Sequence, residues 1–191
     1  MTTLTDANTV VQNRAMQYFA SHERLWLFGY GSLIYKVDFP YLQRRPAGIR
    51  GWQRRFWQGS HDHRGTPTAP GRVVTLVASE GALCQGMAFE ITPDVFEHLD
   101  HREKNGYLRV VVTLEFEEGP REEALVYIAG ADNPAYLGPA SEADIAAQIS
   151  ASVGPSGSNR DYLLQLAAAL RALEAEDAHV FGLERALRKR E

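Results

Sequence analysis

Leu25-Trp26-Leu27-Phe28-Gly29-Tyr30 is a short apolar run that ends in glycine. A run of this length, rich in aromatic and branched residues, is typical of a buried strand that leads into a tight turn. Residues 28–33 of this turn, here named the glycine loop, read Phe28-Gly29-Tyr30-Gly31-Ser32-Leu33. Two glycines let backbone amides approach a ligand closely, which suits a carboxylate, a phosphate or a developing oxyanion. A plain strand-end turn fits the pattern equally well.

The glycine loop does not match the motifs of nucleotide-binding proteins. A dinucleotide-binding motif would need a third glycine two residues beyond Ser32, where Ile34 stands instead. A phosphate-binding loop of the Walker type would need Gly-Lys-Ser/Thr, which is absent here. A Ser32-based catalytic triad is also disfavoured, because the Gly-x-Ser-x-Gly elbow is missing.

Further strands are predicted along the chain by apolar and β-branched residues. Val110-Val111-Val112-Thr113-Leu114 has the clearest pattern, because β-branched residues favour strand over helix. The predicted strands after the first cover 47–57, 72–78, 83–91, 107–116 and 124–129.

Helices are predicted mainly near the C-terminal end. The predicted helices are a leading helix within 8–20, a helix over 92–106, a helix after 154–159 and a last helix over 178–189. The helix after 154–159 has an apolar stripe of Leu163, Leu166, Leu170 and Leu173. Strands followed by helices predict an α+β fold, with a twisted or closed sheet covered by helices. We expect one domain over 1–191, with irregular segments at 61–71 and 130–160.

Composition limits the class of protein. The 191 residues have a net charge of −4, so no basic surplus favours nucleic acid, and no apolar run is long enough to span a membrane. Cys84 is the sole cysteine, which excludes an internal disulfide and fits a reducing compartment. The cytoplasm is the expected location. Within its strand pattern, Cys84 is read as a packed residue rather than a nucleophile.

Glu103 is the main candidate for proton transfer. Thr92-Pro93-Asp94 and Lys104-Asn105-Gly106 predict the ends of its helix. At about 100° per residue, Glu103 falls within the apolar arc of that helix, whereas Asp100 falls on its flank. Burial should raise the pKa of such an acid and suit it to move protons near neutral pH. The alternative is a buried ion pair, with Arg102, Arg109 or Arg72 as partner.

Other polar residues have two readings each. His61-Asp62-His63 could bind a metal, but no third ligand is identifiable, and a mobile polar loop is the simpler interpretation. Arg72 could hold a carboxylate through a bidentate contact, or it could be an ordinary surface arginine of a strand. Tyr107 and Tyr127 lie in strand patterns, where aromatic packing is the default role.

Several segments together resemble the ChaC-like γ-glutamyl cyclotransferases over roughly residues 25–187. Beside the glycine loop, the resemblance is carried by 55–59, 63–66, 70–76, Arg102-Glu103 with Gly106-Tyr107, 124–129, Asn133-Pro134 with Tyr136-Leu137-Gly138-Pro139, and 154–157. Any one of these motifs is modestly specific, but their order along one chain is strongly specific.

The resemblance implies a small β-barrel with flanking helices, no metal and no cofactor. It also implies a small-molecule substrate with a γ-glutamyl group, which for the ChaC branch is glutathione. The glycine loop would then hold the glutamyl end, Glu103 would be the acid/base, and Tyr127 would line the pocket. Arg72 is added from the residue pattern alone. Two alternatives stay open: another γ-glutamyl amino acid or amine as substrate, or a regulatory binding module without turnover.

Overall fold

A computed structural model describes residues 7–190, and five of its strands close into a barrel. The five strands are β1 Leu25–Gly29, β2 Gln43–Ser60, β3 Gly71–Ile91, β4 Tyr107–Glu115 and β5 Glu122–Ala129. Around the barrel they follow the order β1-β3-β2-β4-β5. Only the pair of β1 with β5 is parallel among these neighbours; β1–β3, β2–β3, β2–β4 and β4–β5 are antiparallel. The predicted α+β barrel class is confirmed.

Two strands are longer than the sequence pattern predicts. The separate strands predicted at 72–78 and 83–91 form the single strand β3, and β2 extends well beyond 47–57 on both sides. Gly81 has φ +75° and its counterpart Gly51 has φ +82°, so both glycines adopt the left-handed backbone conformation. The register of β2 against β3 shifts at that level and then resumes. A bulge at the glycines therefore bends the hairpin without ending its strands.

Five helices flank the barrel in the described part of the chain. They are α1 Val10–Ala15, α2 Phe96–Arg102, α3 Glu142–Ala151, α4 Asn159–Ala172 and α5 Ala178–Arg188. The side chains of Ser158 and Asp177 accept hydrogen bonds from the first turns of α4 and α5, which fixes where these helices begin. Between α3 and α4, the short strands β6 Val153–Gly154 and β7 Gly157–Ser158 form a two-stranded hairpin.

Helix α3 lies inside the segment 130–160, which was predicted to be irregular. That prediction was wrong. Ser141 caps the helix through a bond from the amide of Asp144, and the buried positions Ile145 and Ile149 are one helical turn apart. The apolar stripe of α3 is hard to recognise in the sequence, because the alanines between these positions contribute little to a hydrophobic periodicity.

One hydrophobic cluster joins the barrel to the helices. Leu163, Leu166 and Leu170 of α4 are fully buried, as their stripe predicts, and they belong to the same cluster as Leu27 and Phe89 of the barrel. Helix α4 thus closes one side of the barrel beside the glycine loop. No helix within residues 7–190 combines the length and apolar character needed to cross a membrane.

The helix predicted over 92–106 is shorter than expected. A 3-10 turn over Pro93–Val95 precedes α2, and Glu103 follows it as the C-terminal cap, its amide donating to the carbonyl of Leu99 at 2.8 Å. Asp100 was expected on an exposed flank, and that expectation was wrong, because only 1% of it is exposed. Side chains from β4 and β5 reach this flank, so that α2 is covered on two sides.

Candidate active site

A cavity of about 180 Å³ opens beside the end of β1. The structure brings most of the predicted site residues to its wall, namely Phe28, Tyr30, Gly31, Ser32, Leu33, Glu103 and Tyr127. Gly29 and Arg72 are not among the lining residues. The glycine loop and the end of α2 therefore face one space, although Gly31 and Glu103 are 72 positions apart in the sequence.

Close packing explains both glycines of the loop. A Cβ at Gly29 would lie 2.8 Å from the Cβ of Leu33, so Gly29 permits the turn without touching the cavity. A Cβ at Gly31 would lie 2.8 Å from a methyl of Val74 and 3.1 Å from the hydroxyl of Tyr162. The backbone at Gly31 is thus pressed between β3 and α4, where a larger residue has no room.

The buried side chain of Arg54 holds the glycine loop in place. Its Nε donates to the carbonyl of Tyr30 at 2.5 Å, and its Nη1 pairs with Asp177 at 2.5 Å. The hydroxyl of Tyr30 donates in turn to the carbonyl of Tyr127 at 2.7 Å. Sequence reasoning did not single out Arg54, because nothing in the strand pattern distinguishes it from the neighbouring Arg55.

Glu103 is a largely buried acid at the cavity wall, with 17% of its side chain exposed. Burial raises the pKa of its carboxyl group; the charge of Arg102 opposes the rise, whereas Asp38 and Asp62 add to it. A carboxyl group with a raised pKa can accept a proton and return it near neutral pH. Arg102 is also the ion-pair partner, with Nε 3.3 Å from Oε1 of Glu103.

Arg102 links the acid to the glycine loop. Its Nη2 donates to the hydroxyl of Ser32 at 3.0 Å, and its Nη1 donates to the carbonyl of Lys36 at 3.0 Å and contacts Asp38. From the sequence pattern, Arg102 was expected only as an ion-pair partner of Glu103. Its second role could not be inferred, because the contact with Ser32 joins segments 70 positions apart.

Tyr127 connects the cavity to a buried ion pair behind it. Its ring lines the cavity, while its hydroxyl donates to Asp100 Oδ1 at 2.7 Å. Arg109 of β4 binds the same carboxylate through two hydrogen bonds, from Nε to Oδ1 at 2.9 Å and from Nη2 to Oδ2 at 2.5 Å. Asp100 therefore ties α2 to β4 and β5, which holds the helix that leads into Glu103. Arg109, an alternative partner for Glu103, is committed to Asp100.

Arg72 does not reach the cavity, contrary to the carboxylate-binding role predicted for it. Its Nη1 donates to the carbonyls of Phe56 at 3.0 Å and Gly138 at 2.8 Å, and its Nε donates to Gln148 at 2.6 Å. The simpler reading as a surface arginine is also wrong, because only 7% of Arg72 is exposed. The side chain instead joins β2, the 138 turn and α3.

Cys84 does not line the cavity, and burial raises the pKa of its thiol.

His63 lines the cavity, and its Nδ1 lies 3.1 Å from the hydroxyl of Ser156. Across the part of the chain that the structure describes, no group of three or more His, Cys, Asp or Glu side chains is arranged to hold a metal. Tyr107, read as a packing residue, also lines the cavity and donates to the carbonyl of Val74 at 2.8 Å.

The barrel with its flanking helices defines the class of fold. A crystal structure described as a glutathione-specific γ-glutamyl cyclotransferase from yeast matches with a TM-score of 0.81 at 33% identity, covering 88% of this chain and 97% of that one. The fold is that of the γ-glutamyl cyclotransferases. The family model described as ChaC-like protein matches residues 25–190. The chain belongs to the ChaC-like protein family.

Curated relatives agree with this assignment. Glutathione-specific γ-glutamylcyclotransferase 1 of Danio rerio is 45% identical over 179 residues, an alignment that covers 88% of this chain and 91% of the relative. The glutathione-specific γ-glutamylcyclotransferase of Saccharomyces cerevisiae is 36% identical, with 76% of this chain and 85% of the relative covered. The resemblance found in the sequence motifs is therefore confirmed.

The environment of Glu103 predicts how its carboxyl group titrates. We expect a midpoint above the ordinary glutamate pKa of about 4.3, because burial disfavours the charged form. Arg102→Gln should raise the midpoint further, since Arg102 favours the carboxylate. The measurement is the side-chain carboxyl chemical shift in ¹³C-glutamate-labelled protein, assigned with Glu103→Gln. Arg14→Gln, a change at an exposed side chain outside the cavity, should leave the midpoint unchanged.

Proposed function

We propose that this chain is a glutathione-specific γ-glutamylcyclotransferase that releases 5-oxoproline and cysteinylglycine. The observation that carries the proposal is the buried acid Glu103, whose pKa is raised, on the wall of the cavity that the glycine loop also lines. The printed names of the relatives in fish and yeast supply the substrate. The proposed setting is a single domain in the cytoplasm, where a lone unpaired cysteine such as Cys84 is ordinary.

The proposed reaction is an intramolecular cyclisation. The α-nitrogen of the γ-glutamyl group attacks its own γ-carbonyl carbon, forms a five-membered lactam and breaks the amide bond to cysteine. The α-nitrogen begins as an ammonium and ends as a lactam N–H, so it loses two protons: one is released to solvent, and the other is delivered to the departing cysteinyl nitrogen, which leaves as an amine. No water is consumed. Binding has to select the folded conformer of the substrate, because proximity then replaces a bimolecular encounter.

Glu103 is the proposed carrier of that proton. As a carboxylate it would take the proton from the α-ammonium, and as a carboxylic acid it would deliver the proton to the leaving nitrogen. A raised pKa brings the two protonation states closer in free energy near neutral pH, which suits a group that must adopt both. The neighbouring Arg102 keeps the carboxylate form accessible despite burial.

The glycine loop is the proposed site for the glutamyl end and for the oxyanion. Backbone amides near Gly31 can approach the γ-carbonyl oxygen closely, because no side chain intervenes. Tyr30, Ser32 and Leu33 would shape this end of the cavity, with Phe28 and Tyr127 as wall. Arg72 has no part in this proposal. No nucleophilic side chain is needed, and the hydroxyl of Ser32 accepts a bond from Arg102 rather than pairing with a base.

Substrate choice is tested with purified protein, glutathione and γ-glutamyl-alanine, by measuring 5-oxoproline. We expect release from glutathione and much slower release from γ-glutamyl-alanine. Faster turnover of γ-glutamyl-alanine would favour a cyclotransferase of different specificity. Binding of glutathione without any product would favour a regulatory module.

Glu103→Gln should reduce turnover by roughly 10²–10⁴-fold, because the amide keeps the size of the side chain but cannot accept the proton. The fold should persist, since an uncharged group at this site avoids the cost of desolvating a carboxylate. The measurement is 5-oxoproline release together with thermal unfolding.

Glu97→Gln is the matched control for this variant. Glu97 lies on the same helix with 87% of its side chain exposed, so activity should stay near that of the wild type. A folded Glu103→Gln protein with ordinary turnover would refute the acid/base role. An unfolded one would instead favour a structural ion pair with Arg102.

N-acetylated glutathione should yield no 5-oxoproline, because acetylation converts the nucleophilic α-amine into an amide that cannot attack the γ-carbonyl carbon. The experiment follows both 5-oxoproline and cysteinylglycine. Release of cysteinylglycine together with N-acetylglutamate would identify a hydrolase, and the cyclisation mechanism would be wrong.

A further inference from the structure

Arg64 is a buried cation of the cavity that the proposed chemistry has not used. It lines the cavity, and only 8% of it is exposed. Its Nη1 donates to the carbonyl of Ser158 at 3.1 Å, and its guanidinium carbon lies 5.7 Å from the ring centroid of Tyr162. No carboxylate of residues 7–190 forms an ion pair with it.

The other cations of the cavity are differently placed. Arg102 is already paired with Glu103 and Asp38 and bonded to Ser32. Lys36 is exposed, so that solvent screens its charge. A guanidinium has five N–H donors in a fork that matches a carboxylate, and Arg64 uses one nitrogen for a backbone carbonyl. A buried charge without an opposite charge is costly, which favours an anionic ligand at this position.

Arg64 stands on the glycine-loop side of the cavity. Tyr162 provides the link, because its ring faces the guanidinium and its hydroxyl lies where a Cβ of Gly31 would come within 3.1 Å. Burial raises the pKa of that hydroxyl; the charge of Glu103 adds to the rise and the charge of Arg64 opposes it. Arg64 and the glycine loop therefore both approach Tyr162, one at its ring and the other at its hydroxyl.

This arrangement fits the two charges on the α-carbon of a γ-glutamyl group. The α-ammonium and the α-carboxylate are bonded to the same carbon, so a site that receives the ammonium at an acid needs a cation close by for the carboxylate. Glu103 and Arg64 line the same cavity and offer this pair of opposite charges. We infer that Arg64 binds the α-carboxylate of the γ-glutamyl group and thereby orients the α-nitrogen toward Glu103.

The inference rests on the proposed function and predicts which substrate groups Arg64 recognises. Arg64→Met should lower kcat/KM for glutathione by roughly 10²-fold, mainly through KM, because a buried charge-assisted contact is lost. The loss should be equally large for glutathione esterified at its glycine carboxyl group, since the α-carboxylate is intact there. Arg64→Lys keeps the charge without the fork and should lose less; it replaces Arg64→Met if that variant does not fold.

Product inhibition separates binding from a structural effect. 5-Oxoproline keeps the α-carboxylate, and 2-pyrrolidinone is the same ring without it. The inhibition constant of 5-oxoproline should rise in Arg64→Met by a factor similar to the KM effect, whereas that of 2-pyrrolidinone should not change. Arg50→Met, at a strand arginine outside the cavity with 60% of its side chain exposed, should resemble the wild type in every assay.

Two results would overturn the assignment of Arg64. One is equal inhibition of wild type and Arg64→Met by 5-oxoproline. The other is a loss on glutathione that disappears with the glycyl ester, which would place Arg64 at the other carboxylate. These failures are distinct from failure of the proposed function, in which the wild-type protein itself would release no 5-oxoproline from glutathione.

Discussion

The backbone at Gly31 runs so close to the barrel wall that a side chain has no room, and the cavity depends on this approach. Val74 of β3 stands on one side and Tyr162 of α4 on the other. A buried arginine, Arg54, donates to the carbonyl of the preceding Tyr30, so an outward movement of the loop would leave a buried N–H donor without its acceptor. The core therefore positions the loop, which is the preorganisation that the proposed stabilisation of an oxyanion requires.

Burial also governs the carboxyl group of Glu103 at the cavity wall. Desolvation pushes its pKa upward, and a neighbouring guanidinium limits the rise. Neither influence alone would serve: an isolated buried acid stays protonated, and a fully paired one stays ionised. Behind α2, by contrast, the carboxylate of Asp100 is bonded to both Arg109 and Tyr127. Two acids three positions apart thus have different environments and different capacities.

Local patterns in the sequence predicted individual helices and strands better than the way in which these elements connect and pair. The stripe of Leu163, Leu166 and Leu170 and the β-branched run of β4 report periodicities that belong to single elements, and both proved reliable. The continuous strand β3 was missed because Gly81 lies at a bulge, which interrupts the apolar pattern while the strand continues beyond it. The burial of Asp100 was not predicted because a helical wheel assumes that a helix packs on one side, whereas α2 is covered on two sides. Barrel closure pairs β1 with β5, nearly 100 residues away, which no local pattern encodes.

The buried arginines near the cavity show why the candidate site could be predicted only in part from the sequence. Arg54, Arg64 and Arg72 all lie in or beside strands near the cavity, and all three are buried. What separates them is the set of acceptors that each one meets after folding. Arg72 meets two carbonyls and an amide, and Arg54 meets two carbonyls and a carboxylate, so their hydrogen-bonding capacity is largely used within the fold. Arg64 meets one carbonyl and an aromatic face. A guanidinium is free to recognise a ligand only where the protein leaves its donors unsatisfied, and that is a property of the assembled barrel rather than of the residue type.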